Sequence, residues 1–120
     1  MASQTIAFPN YTQIPSRIPV QVAGRAIPSL CAIRTPLLIQ HSERDLRTTI
    51  AQAESLFTVL RSLRRPVRLL RVPEETHELT RSGTPFRRVE NLRIVESWFR
   101  HFLIDGKRGL PPLPKVHGGR

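Results

Sequence analysis

Two short apolar runs with one helical stretch between them constrain this chain most. Leu37-Leu-Ile-Gln-His41 and Val67-Arg-Leu-Leu-Arg-Val72 each have the length and composition of a buried strand. Between them Ile50, Ala53, Leu56, Phe57, Leu60 and Leu63 recur at three- and four-residue intervals, the spacing of a helix with one apolar face. Thr48 or Thr49 is available as its N-cap, and Pro66 ends it. A strand, a helix and a strand in that order form a βαβ unit, with parallel strands and a right-handed crossover. A second helix follows Gly83 and Pro85. Val89, Leu92, Val95, Trp98, Phe99 and Phe102 form its expected core stripe, and it closes near Gly106.

The flanks read differently. Residues 1–33 carry prolines at 9, 15, 19 and 28 with little periodicity, so we expect an irregular N-terminal segment. The α/β part spans 34–105. Residues 106–120, with Pro111, Pro112, Pro114 and Gly118-Gly119, read as a disordered tail. A chain of 120 residues holds at most one domain with a modest core. The first forty-two residues contain no Asp or Glu, which fits an unrelated leader or a transit peptide.

The net charge of +10 comes almost wholly from seventeen arginines, against Lys107 and Lys115 alone. Such a balance permits attraction to nucleic acid or acidic surfaces. The arginines are scattered, however, and the cluster Arg61, Arg64, Arg65, Arg68 and Arg71 lacks interleaved aromatics and any reader motif. Nucleic acid is therefore disfavoured as a partner. Cys31 is the sole cysteine, which excludes a disulfide framework and a cysteine-rich zinc site. No apolar stretch is long enough for a membrane span. We read the location as cytoplasmic and expect no membrane partner.

The chemistry gathers at two places. Asp45 follows the first strand and His77 the second, and in parallel sheets functional groups collect just past the carboxyl ends of strands. Neighbouring strands would bring both side chains to one edge, as an acid–base dyad requires. In α/β-hydrolases the triad runs serine, then aspartate or glutamate, then histidine, with the serine on a Gly-x-Ser-x-Gly turn. No such turn occurs in this sequence. Ser42 and Ser82 are conceivable stand-ins, yet neither sits on a strand–turn–helix elbow. His41, Glu43, Asp45 and His77 match no metal-ligand spacing, so neither a metal nor any other cofactor is implied.

These residues resemble the C-terminal part of the catalytic domain of the prolyl oligopeptidase family of serine peptidases, in its acylaminoacyl-peptidase-like branch. The resemblance rests on Thr35-Pro-Leu-Leu-Ile, His41-Ser-Glu, Asp45-x-Arg47, Ile50-Ala-Gln-Ala-Glu-Ser-Leu-Phe57, His77-Glu-Leu-Thr-Arg-Ser-Gly83 and Trp98-Phe99. It covers about Arg34 to Leu103. It implies the C-terminal portion of an α/β-hydrolase fold, with Asp45 as triad acid, His77 as general base and Arg47 as a substrate contact. The family's Gly-x-Gly-His stands here as Glu74-x-Thr76-His77. Glycine permits backbone angles that a β-branched threonine resists. Thr49 stands where a helix-opening proline is common.

The expected function is that of a serine-peptidase fragment, from a peptide-hydrolysing parent, with acid and base present and the nucleophile absent. Its partners would be a peptide substrate in the complete enzyme and a complementary N-terminal hydrolase half. The alternative is a basic, non-enzymatic binding module for nucleic acid or an acidic protein.

Overall fold

The computed structural model describes residues 4–6 and 30–112. Three parallel strands form one sheet in the order β1-β3-β2. They are β1 (Gln4–Ile6), β2 (Leu37–Ser42) and β3 (Val67–Val72). β3 is central, pairing with β2 from Leu37↔Val67 to Ser42↔Val72 and with β1 from Gln4↔Arg68 to Ile6↔Leu70. β1 lies within the segment read as irregular. Three residues are too few to show an alternation, and its partner is supplied sixty residues later. Residues 7–29 and 113–120 fall outside the described residues, together with most of the expected irregular segment and the end of the expected tail.

Alternation along β3 sends its side chains to two faces. On one face Val67 and Leu69 pack with Ala53, Phe57 and Leu60 of helix α1 (Ile50–Ser62), and with the partly buried Leu37 and Ile39 of β2. On the other, Leu70 and Val72 pack with Leu79 of the short helix α2 (Leu79–Ser82) and Ile94 of α3 (Pro85–Phe99). Full burial of side chains such as Phe57, Leu60 and Leu69 is worth roughly 1.5–3 kcal/mol each. This two-sided cover of a parallel sheet is the layer pattern of α/β folds, in line with what the resemblance implies.

α1 ends in a Schellman arrangement, with the Arg64 N–H on Arg61 O and the Arg65 N–H on Leu60 O. Arg64 takes the left-handed conformation (φ 55°) usually filled by glycine. Thr49 occupies the N-cap position, but its hydroxyl makes no capping bond. The Thr48 hydroxyl is spent elsewhere, as described below.

The expected core stripe of the last helix is the main correction to the sequence reading. Trp98 is buried, but Val89, Leu92 and Phe99 are exposed, the last two at 65% and 56%. The buried face instead carries Glu90, Asn91, Ile94 and Trp98. α3 is apolar on two adjacent faces, so periodicity alone does not say which one meets the sheet. In the fold the Ile94 and Trp98 face meets the sheet: Ile94 packs on Leu70 and Val72, and buried Arg68 of β3 lies 5.9 Å from the Trp98 ring. Arg68 also donates to the carbonyl of Pro111, which is itself buried. Residues 106–112, the start of the tail read as disordered, thus follow the fold. The arginine holding them is forty-three residues away, invisible to local composition. A π-helical turn, Arg100–Ile104, extends α3.

Candidate active site

β2 ends at Ser42, and the chain crosses the carboxyl edge of the sheet. The Glu43 N–H donates to Val72 O (2.9 Å) and the Arg44 N–H to Glu75 O (3.0 Å), tying this loop to the one after β3. The Asp45 side chain then folds over its own loop. Its Oδ1 accepts the N–H groups of Arg47 (2.9 Å) and Thr48 (3.0 Å), an Asx-type arrangement. Its Oδ2 accepts the Thr48 hydroxyl (3.0 Å) and Nδ1–H of His77 (2.8 Å).

Asp45 is buried, yet every oxygen is satisfied. The Thr48 N–H holds its carboxyl far below the ordinary value of 3.8. Burial opposes the shift, and the His77 imidazole, the Thr48 hydroxyl and the Arg47 N–H reinforce it. The acid is therefore ionised throughout the neutral range.

His77 stands on the loop that leaves β3 through Pro73. Its side chain is 45% exposed, open to an incoming group while tied to Asp45. With the proton on Nδ1 fixed by a carboxylate, Nε2 keeps its lone pair, the form a general base needs.

The loop is braced by Glu75. Its buried carboxylate accepts the Thr84 N–H at 3.0 Å, just ahead of α3. Gly83 leaves room for this: a Cβ there would clash with Leu79 O and lie 2.8 Å from Glu75 Oε2. Glu74, at the first of the two positions where the resemblance expects glycine, has φ 60°. Thr76, at the second, is outside the left-handed region. The departure from glycine thus tells at Glu74 and leaves Thr76 without strain.

A cleft of about 230 Å³ opens beside the pair, lined by His41, Ser42, Asp45, Thr48, His77 and Thr80 among others. Arg47 gives its backbone N–H to Asp45, while its side chain is 70% exposed and lies 3.3 Å from Glu78 Oε1. It does not line the cleft. Glu43 turns to Arg71 at 3.3 Å, away from Asp45. Among the described residues no group of His, Cys, Asp and Glu is placed to hold a metal ion, and no helix is long and apolar enough to cross a membrane.

The arginine cluster is dispersed. Arg71 pairs with Glu54 at 2.6 Å, Arg65 donates to Cys31 O and Arg68 is buried. The sequence reading missed Thr48, His41 and Glu75 as parts of the site. A threonine three residues after a loop aspartate was a usable signal for the first; nothing local marked the others.

The profile of the prolyl oligopeptidase family matches residues 10–105, four-fifths of the chain. The chain belongs to this family. The match starts well ahead of Arg34, where the motifs quoted above begin. Among curated relatives, an uncharacterized peptidase of Bacillus subtilis, YuxL, is 44% identical over 71 residues, 59% of this chain and 11% of that protein. Dipeptidyl-peptidase 5 of Aspergillus fumigatus is 44% identical over 43 residues, 36% of this chain and 6% of its own length. Among solved structures, the AtxE2 isopeptidase with Astexin3-dC4 bound superposes with a TM-score of 0.55 at 30% identity. That similarity covers 73% of this chain and 12% of the isopeptidase. The prolyl oligopeptidase-family chain thus matches between 6% and 12% of these relatives' length, and its sheet is part of an α/β-hydrolase fold.

Proposed function

We propose that Asp45 and His77 are the acid and general base of a serine peptidase whose nucleophile is supplied from outside these 120 residues. The observation that carries this reading is the 2.8 Å bond between His77 Nδ1 and Asp45 Oδ2, at the carboxyl edge of a parallel sheet in a family of peptidases. In such a triad His77 Nε2 takes the serine proton as the hydroxyl attacks the peptide carbonyl. It returns that proton to the leaving amine, while Asp45 fixes the tautomer and stabilises the imidazolium. Arg47, exposed and paired with Glu78, is available to meet the substrate backbone from the rim.

The 120 residues alone do not hydrolyse peptides in this account, because no covalent acyl intermediate forms without a nucleophile. A complementary N-terminal hydrolase half is the proposed partner. Its docking side is the β2 edge, which no strand pairs among the described residues, beside a groove of about 310 Å³ lined by Leu37, Leu38, Val95, Trp98 and Phe99, with Gln40 and Pro36. An open edge next to an apolar groove is a surface that further protein would cover.

The test is a chimera: residues 34–105 replace the matching segment of YuxL, and labelling of its serine by a fluorophosphonate probe is measured. Rapid labelling that falls at least a hundredfold on His77→Ala supports the reading. Labelling indifferent to that substitution removes it. The isolated chain should stay unlabelled, and co-expression with an N-terminal half should restore esterase activity.

A further inference from the structure

A second imidazole reaches the carboxylate of Asp45. His41, the penultimate residue of β2, places Nε2 2.8 Å from Thr48 O and 3.5 Å from Asp45 Oδ2. A carbonyl oxygen only accepts, so Nε2 of His41 carries the proton and donates it. That nitrogen is therefore committed and is not a second base for the cleft.

The recipient carbonyl matters because of what else Thr48 does. Its N–H holds Oδ1 of Asp45 and its hydroxyl holds Oδ2. Its carbonyl has no partner in α1, since the Gln52 N–H, the nearest helical donor, goes to Thr49 O at 3.1 Å. His41 supplies the missing donor, so all three polar groups of Thr48 are engaged.

We infer that His41 is a positioning residue: by anchoring the Thr48 carbonyl it fixes the donors that aim Asp45 Oδ2 at His77. The 3.5 Å approach of Nε2 to Oδ2 adds a favourable polar contact on the same side. The other basic group nearby does not compete. Arg71, the register partner of His41 on β3, is held by Glu54 (2.6 Å) and Glu43 (3.3 Å). This inference rests on the Asp45–His77 reading above and extends it to a cleft-lining residue whose polar contacts are to Thr48 and Asp45 and not to His77.

The test uses the 120-residue chain labelled with nitrogen-15. Two readouts are followed: the ring nitrogen shifts of His77, which report its tautomer, and hydrogen exchange of the Arg47 and Thr48 amides. His41→Phe keeps a ring and removes the donor, whereas His41→Gln keeps a donor near the position of Nε2. Asp45→Asn is the control for the dyad itself. The inference predicts at least tenfold faster exchange of both amides in His41→Phe, with His77 drifting to a mixture of tautomers. His41→Gln should stay close to the wild type in both. If His41→Phe does not fold, His41→Met replaces it in the same comparison. Unchanged exchange and an unchanged tautomer in the donor-free variant, while Asp45→Asn shifts His77, overturn the role of His41 and leave the dyad standing. No response of His77 to Asp45→Asn overturns the dyad, and the inference with it.

Discussion

The two loops that carry the candidate pair are built on opposite plans. The Asp45 carboxylate is aimed mainly from within its own loop: the donors from Arg47 and Thr48 lie two and three residues from the carboxylate they hold, and His41 is four residues before it. The His77 loop is held from a distance. Its brace, Glu75, connects to Arg44 in one direction and Thr84 in the other, and its closure needs a bare glycine at 83. Glu74 within it occupies a conformation that suits glycine. Asp45 is thus held by its own neighbourhood, whereas the aim of His77 is borrowed from the rest of the fold.

The largest expected effect comes from breaking the borrowed side. Gly83→Ala should destabilise the chain by about 3 kcal/mol, because the added methyl meets a backbone carbonyl that cannot move freely. Urea unfolding checks this. A loss within error of zero would mean the His77 loop is looser than described.

The next effect belongs to the locally held Asp45 side and depends on pH. The carboxyl of Asp45 titrates below its unfolded value of 3.8, so its stabilisation is fully present above that pH and is lost as the pH falls towards the folded value. The difference in midpoint between the wild type and Asp45→Asn should shrink as the pH falls below 3.8. A difference that shrinks on the alkaline side instead would contradict the ionised, donor-held acid.

The smallest effect sharpens the comparison. Glu74→Gly should be neutral or stabilising by about 0.5 kcal/mol, relief of the left-handed backbone being offset by the freer unfolded chain. Thr76→Gly should cost stability, since Thr76 has no such strain to relieve. The reverse order would place the strain at the wrong residue.

The same contrast explains what the sequence made legible. β2, β3 and α1 were readable because each is a local pattern of apolar residues closed by a local stop, Pro66 among them. Asp45 and His77 were readable because parallel strands bring their carboxyl ends together and the motifs around both residues are short. The face of α3 was misread because Val89, Leu92 and Phe99 form as good a stripe as Asn91, Ile94 and Trp98. What separates them is tertiary, the packing of Ile94 on Leu70 and Val72 and of Trp98 beside buried Arg68. The roles of Glu75 and His41 were hidden for a related reason: each acts through backbone groups that any residue at the receiving position could present.

The central claim is that Asp45 fixes His77 in the form a general base requires. The most direct measurement is a pH titration of the His77 ring nitrogens by nitrogen-15 NMR in the wild-type chain. The account predicts that neutral His77 carries its proton on Nδ1, with Nε2 bare. A neutral imidazole protonated mainly on Nε2, as if no carboxylate were bound to Nδ1, would contradict it.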